Sequence, residues 1–254
     1  MTELLLDFTA GFAGEVLGPV PLNDAVRRVV AFCCSPQSGF LGYDLAGAAA
    51  RAGGRLAEVG PWTILLAEAL AGRVTVGNVH SFASHIKEFT ELLAQVRDKD
   101  LALLDDSEFA AVIAFCSFGF AGAWAPKITK VGALFRPRAI PIMDGYLALA
   151  FGYSRDAFSV GTAPRRQAIR QVATALAAGI AANGDKLQEV RRQAGGSVPA
   201  VTLLSDLRLA DVIIWTAQDD RMQRPGKPRD AWLQMKPGEP PTIADVAWIP
   251  LGDH

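Results

Sequence analysis

Cysteine, histidine and tyrosine each occur only three times in 254 residues. The cysteines, Cys33, Cys34 and Cys116, are odd in number and form no Cys-x-x-Cys pair. That pattern argues against a disulfide framework and an iron–sulfur site, and it fits a reducing, cytoplasmic setting. His80 and His85 stand five apart with no acidic partner to complete a ligand set, and the third histidine is the terminal His254. No zinc or other metal site is expected, and no cofactor. Long apolar runs are lacking too. Half of the residues are apolar and the mean hydropathy is +0.22, yet charge, Gly or Pro interrupts every run. Each interruption comes before the about 18 residues that a membrane span needs. The opening stretch Met1–Phe8 carries Glu3 and Asp7 and no basic residue, unlike a secretory signal. A soluble chain is expected.

With 20% charged and 8% aromatic residues, the composition is that of a folded protein. It can build one sizeable core, or two helical lobes sharing a cleft. The net charge of −1 hides an asymmetry. Residues 1–126 carry −6, residues 127–229 carry +8 and residues 230–254 carry −3. A strongly basic middle inside a neutral chain is the electrostatic footprint of a face that meets a polyanion; a solvated helical surface with scattered arginines is the plainer alternative.

Hydrophobic periodicity is helical nearly everywhere, and the predicted class is all-α. Asn23-Asp24 cap a helix through Phe32, and Asp44 to Leu56 reads as an Ala-rich helix. Gly60-Pro61 opens a helix from Trp62 to Leu70. Residues Asn78 to Val96 form a long amphipathic helix, and Asp106-Ser107 cap another through Cys116. Two further helices span Pro164 to Ala182, ended by Asn183-Gly184, and Val198 to about Trp215. Val74–Val76 and Ile140–Met143 are short extended connections rather than sheet strands. These elements make one helical domain, residues 1–218. A proline-rich tail, residues 219–254, carries Trp232, Met235, Trp248 and Ile249 and should lie extended against the body.

The stretch from Phe118 to Gly152 concentrates the candidate chemistry. A small-residue turn, Gly119-Phe120-Ala121-Gly122, leads into a short helix from Pro126 to Leu134 with Lys127 and Lys130. The segment Arg136-Pro137-Arg138-Ala139-Ile140-Pro141 then delivers Asp144 to the start of a helix from Gly145 to Phe151. Turn amides and a helix N-terminus can hold a phosphate, and Arg136 and Arg138 can supply further phosphate ligands. Asp144 reads either as a plain N-cap or as a positioned carboxylate, and a capped aspartate can be both. Of the nearby aromatics Phe118, Phe120, Trp124, Tyr146 and Tyr153, Trp124 and Tyr146 stand closest to the turn and to Asp144. Arg208 and Asp211, three apart, read as an internal ion pair on one helix face, and Trp215 as core.

At these residues the sequence resembles the helix-hairpin-helix DNA glycosylase superfamily, with Gly119–Gly122 as the hairpin and Pro141-Ile142-Met143-Asp144 as the aspartate segment. It is more closely similar to a set of actinobacterial proteins sharing a domain of unknown function, the 6308 type. The patches that carry this similarity are Ile128-Thr129-Lys130-Val131, Arg136-Pro137 through Asp144, and Leu207-Arg208-Leu209-Ala210-Asp211 through Trp215. Gly-Phe-Ala-Gly stands where the superfamily has Gly-x-Gly, and Lys130 lies 14 residues before Asp144. A second Gly-containing turn, Val59-Gly60-Pro61-Trp62-Thr63, lies 84 residues before Asp144, outside the superfamily's order.

The resemblance implies two helical lobes around a cleft and a glycosylase that flips a damaged or modified base from DNA. It hydrolyses the N-glycosidic bond and leaves an abasic site, in repair or in attack on modified phage DNA. Asp144 would stabilise the oxocarbenium-like sugar and direct water, and Lys130 would be a Schiff-base nucleophile only if burial lowered its pKa. Gly119, Gly122, Lys127, Arg136 and Arg138 would contact DNA, and Trp124 and Tyr146 would wall the base pocket. Two other readings stay open: a glycosylase-like module without chemistry that binds DNA or a partner, and a helical enzyme on a small phosphorylated metabolite.

Overall fold

A computed structural model describes residues 4–12, 16–54, 56, 58–159, 163–222, 228 and 230–247. Trp248 and Ile249 lie outside the described residues, as does Glu3. Among the described residues the chain is all-α apart from one antiparallel pair of two-residue strands, Leu5–Leu6 with Val20–Pro21. Helix α1 spans Leu22–Cys34. A π-helical turn, Phe40–Leu45, runs directly into α2, Ala46–Ala52. The expected helix opened by Gly60-Pro61 is present as a 3₁₀ helix, Pro61–Leu70, with Thr63 Oγ1 accepting the Gly60 amide at 2.8 Å.

Helix α3, Val76–Gln95, starts earlier than its apolar stripe suggests, because Thr75 and Asn78 cap each other's amides reciprocally at 3.3 and 3.0 Å. Helix α4, Asp106–Ser117, has a capping box in which the N-cap is Asp105 rather than Asp106, with Glu108 returning to the Asp105 amide at 3.1 Å. Helix α5 spans Ala125–Phe135 and α6 spans Gly145–Ala150. Helix α7, Ala163–Ala182, does not end the helical run: α8, Gly184–Ser197, follows at once. Its three glycines and high charge hide it from a propensity reading. Its stability comes from Leu187, Val190 and Ala194, which are buried at helical spacing where α8 packs on α1 and α9.

The predicted helix from Val198 to about Trp215 is two pieces. A 3₁₀ turn, Pro199–Leu203, precedes α9, Asp206–Arg221, which Ser205 caps. The tail expected to be extended forms two helical turns, α10 at Ala231–Gln234 and α11 at Ala244–Ala247. Trp232 on α10 is buried against Phe32 and Trp215, so this part of the tail packs on the body as a helix. Buried side chains from Leu6 to Trp232 form one contiguous cluster. Among the described residues no helix is long and apolar enough to cross a membrane.

Candidate active site

The Gly-rich turn is a tight hairpin joining α4 to α5. Phe120 and Ala123 exchange both backbone hydrogen bonds, at 3.1 and 2.9 Å, and Gly122 takes φ +84°, which favours glycine. A Cβ on Gly119 would lie 2.7 Å from the Trp124 indole and 2.9 Å from the Ala123 carbonyl, so the close approach there demands glycine too.

Helix α5 starts at Trp124, its N-cap, and carries Lys130 inward. The Lys130 side chain is buried, its ammonium donates to the Leu70 carbonyl at 2.5 Å, and its own backbone carbonyl accepts the Tyr43 hydroxyl. Burial lowers the Lys130 pKa from its ordinary value, against the opposing pull of Asp144 and Asp211.

From the C-terminal end of α5 the chain returns through the buried Ile140–Met143 connection. Thr129 Oγ1 accepts the Met143 amide at 3.0 Å, anchoring this connection to α5 one residue before Asp144. Asp144 then caps α6: one oxygen, Oδ1, accepts the amides of Tyr146 and Leu147, both at 3.0 Å. Its second oxygen, Oδ2, has no hydrogen-bond partner among the described residues. Burial raises the Asp144 pKa, while Lys130, the Leu147 amide and Arg208 pull the other way.

Asp144 and Lys130 line one cavity of about 100 Å³. Helix α9 supplies a further wall through Arg208, Asp211, Val212 and Trp215, and Phe32, Ile142 and the Leu70–Ala71 rim close it. Arg208, Asp211 and Trp215 fall on one helix face because they are three and four residues apart. Arg208 grips Asp44 with both ends of its guanidinium, at 2.8 and 2.9 Å, and pairs with Asp211 through its third nitrogen. Burial disfavours the charge on Arg208, but Asp44 and Asp211 outweigh it and hold the guanidinium cationic. Burial pushes Asp211 up to about 7; Arg208 opposes the shift and Asp144 adds to it. Removing a carboxylate from water disfavours its charged form, and the nearby Asp144 and Asp44 charges add to that cost.

The structure therefore brings Asp144 and Lys130 together, and with them residues read from sequence only as an ion pair and core: Arg208, Asp211 and Trp215. Asp44 and Phe32 carried no motif signal at all, because they come from the distant N-terminal part of the chain. Tyr146 sits one layer behind the cavity wall: its ring lies 5.1 Å from Trp215 and its hydroxyl donates to Asp219 at 3.1 Å. Trp124 is elsewhere, at the hairpin, with the Arg165 guanidinium 4.8 Å over its ring.

The three cations expected to meet phosphate each have a partner within the chain, although Arg138 is itself exposed. Lys127 donates to Asn78 at 2.7 Å and to the Gly122 carbonyl at 2.9 Å, tying the hairpin to α3. Arg136 donates to the Val96 carbonyl at 2.7 Å and to the Phe135 carbonyl at 3.1 Å, capping the C-terminus of α5. Arg138 makes a bidentate pair with Asp100, both bonds 2.8 Å. None of the three lines the Asp144 cavity.

The same elements carry the similarity to known proteins. The model of a family of unknown function (DUF6308) matches residues 63–218, more than half of the chain. The chain belongs to this family. Comparison with the curated proteins and with the solved structures gave no match. The span shared with DUF6308 runs from the 3₁₀ helix to α9, so it contains the hairpin, Lys130, Asp144, Arg208, Asp211 and Trp215. Phe32, Asp44 and Trp232 complete the site from outside the DUF6308 match.

Proposed function

We propose that the chain is a DNA glycosylase that hydrolyses the N-glycosidic bond of a flipped, damaged or modified base. The observation that carries this reading is the Asp144 carboxylate, held by two amides with its second oxygen unbonded at a cavity shared with Lys130, Asp211 and Trp215. Breaking the bond from base to sugar leaves positive charge on C1′, and a carboxylate fixed beside it stabilises that charge and takes a proton from the attacking water. The departing base must accept a proton, and Asp211, protonated up to about 7, is the reserve from which it comes. Trp215 and Phe32 supply the aromatic wall against which a flipped base stacks.

On this reading the cavity opens into a cleft between two helical lobes. Its volume of about 100 Å³ is room for roughly three water molecules, so entry of a base requires the rim at Leu70–Ala71 to move. The test is direct: incubate the chain with duplexes carrying different modified bases and look for alkali-labile abasic sites. Sites that form with none of them exclude the activity.

One observation favours a covalent variant of the same chemistry. Lys130 is buried and its pKa is lowered, the condition under which its amine attacks C1′ and displaces the base to form an iminium ion. Borohydride, which reduces that iminium to a stable adduct, separates the two routes.

A further inference from the structure

A second concavity, about 920 Å³, lies between α3, α4, the hairpin and the start of α7. Its lining includes Glu88, Ser117, Trp124 and three arginines, Arg165, Arg166 and Arg170. Arg165 is only 5% exposed, yet it has no carboxylate partner among the described residues. One of its nitrogens donates to the Ser117 carbonyl at 2.6 Å, and the other two, Nε and Nη1, are buried without any hydrogen-bond partner. The Ser117 hydroxyl beside it is buried and unpartnered as well. Burial lowers the Arg165 pKa, and the neighbouring Arg166 lowers it further. Arg166 and Arg170 are exposed and unpaired among the described residues.

A buried cation left without a counter-charge is costly, and proteins retain one where a ligand supplies the missing charge. Here three guanidiniums face one carboxylate, Glu88, at the N-terminal end of a 20-residue helix whose dipole also favours an anion. The shape argues for a polymer. Arg166 and Arg170 are one helical turn apart, about 6 Å along the axis, and form a line rather than a cup. The concavity is also large, near the top of the roughly 300–1,000 Å³ range of small-molecule pockets. Guanidinium forks suit phosphate oxygens in particular.

We infer that this groove binds the phosphodiester backbone of a nucleic acid strand, with Arg165, Arg166 and Arg170 as its phosphate ligands. The inference rests on the glycosylase reading for the identity of the polymer. It replaces Lys127, Arg136 and Arg138 with cations that are free to make the contact. Helix α5 links the two sites: Trp124 in the groove and Lys130 in the cavity are six residues apart, about 9 Å along the helix.

The experiment is a fluorescence-anisotropy titration of labelled DNA with the full chain over a salt series. The Arg166→Gln/Arg170→Gln double variant changes only exposed side chains. It should bind at least about tenfold more weakly and lower the slope of log affinity against log salt by about two. Arg165→Met, which keeps the cover over Trp124, should lose affinity while its melting temperature holds or rises, because an unpaired buried charge is gone.

A double variant with the parental slope overturns the inference, as does an Arg165→Met that binds normally and melts lower. Inorganic phosphate or polyglutamate displacing DNA at matched ionic strength also overturns it, in favour of a free anion or an acidic peptide. Failure of the chemistry is read separately. A parent that binds through the groove but never excises a base leaves the groove standing and removes the glycosylase reading. Excision by a parent whose double variant keeps its salt slope does the reverse.

Discussion

Lys130 and Asp144 line the same cavity and do not pair. The ammonium donates to the Leu70 carbonyl at 2.5 Å, while the carboxylate spends one oxygen on two α6 amides and leaves the other unbonded. A purely structural pair would close on itself, since a buried charge gains most from direct contact with its partner. On the glycosylase reading, the cavity that both residues line is where the reacting group sits.

Asp144→Asn tests that space. The amide keeps the cap on Tyr146 and Leu147, so the variant should fold and bind DNA. It should lose about a hundredfold or more in excision rate, the cost of removing a few kcal/mol of charge stabilisation. Excision at the parental rate on the best substrate would remove Asp144 from the chemistry.

Asp211 sets the pH behaviour. Its folded pKa of about 7 lies above the ordinary 3.8, so the folded chain holds this proton more tightly than the unfolded chain does. The stability that Asp211 contributes is therefore greatest in acid and is lost as pH rises through about 7. The same deprotonation removes the proton reserve, so excision should fall on the alkaline side of about 7. Asp211→Asn should abolish that limb in a profile of kcat/KM against pH. An unchanged profile would show that another group supplies the proton.

Lys130 decides between hydrolysis and a covalent route. Under the hydrolytic reading, borohydride added during turnover traps no protein–DNA adduct, and product strands stay whole until heated in alkali. Gel analysis of the trapped mixture checks it. An adduct that vanishes in Lys130→Met would convert the assignment to a glycosylase with lyase activity.

Arg136 and Arg138 should matter to stability rather than to DNA. Arg136→Ala frees the Val96 and Phe135 carbonyls and should cost about 1–3 kcal/mol in urea unfolding. Arg138→Ala breaks a largely exposed pair with Asp100 and should cost about 1 kcal/mol or less. Neither change should alter the salt slope of DNA binding; a reduced slope in either would return that residue to the phosphate footprint.

Arg208→Met tests the ionic cluster itself. It strips Asp44 and Asp211 of their shared cation and should destabilise the chain by about 3–5 kcal/mol. Adding Asp44→Leu and Asp211→Leu to that variant should recover much of the loss, because the unpaired charges leave with the cation. A single Arg208→Met that unfolds at the parental urea concentration would mean the cluster carries no net stability.

Some of this was legible along the chain because it depends on neighbours in sequence. The Gly119–Gly122 turn and the position of Asp144 at the head of α6 follow from local backbone chemistry, whereas the cap expected at Asn23-Asp24 does not form, because α1 starts after Pro21 with no side-chain cap. Aspartate competes for first-turn amides and glycine takes a positive φ, wherever the rest of the fold goes. The all-α class followed from apolar spacing in the same way. Helix α8 escaped because its support is tertiary, and the division of the last long helix at Leu204-Ser205 escaped because apolar spacing continues across the break.

What a charged side chain does was not legible, since that depends on what lies across the fold. Arg136 and Arg138 read as free cations, but Val96 and Asp100, some forty residues upstream, occupy them. Arg208 and Asp211 read as a closed pair, but Asp44 from the π-helical turn takes two of the guanidinium nitrogens and leaves Asp211 shared between Arg208 and the Asp144 cavity. Sequence alone determined which residues could ionise and which could cap. Only the tertiary structure decided which charges were neutralised, because desolvation and Coulomb energy depend on distances that the order of residues does not contain.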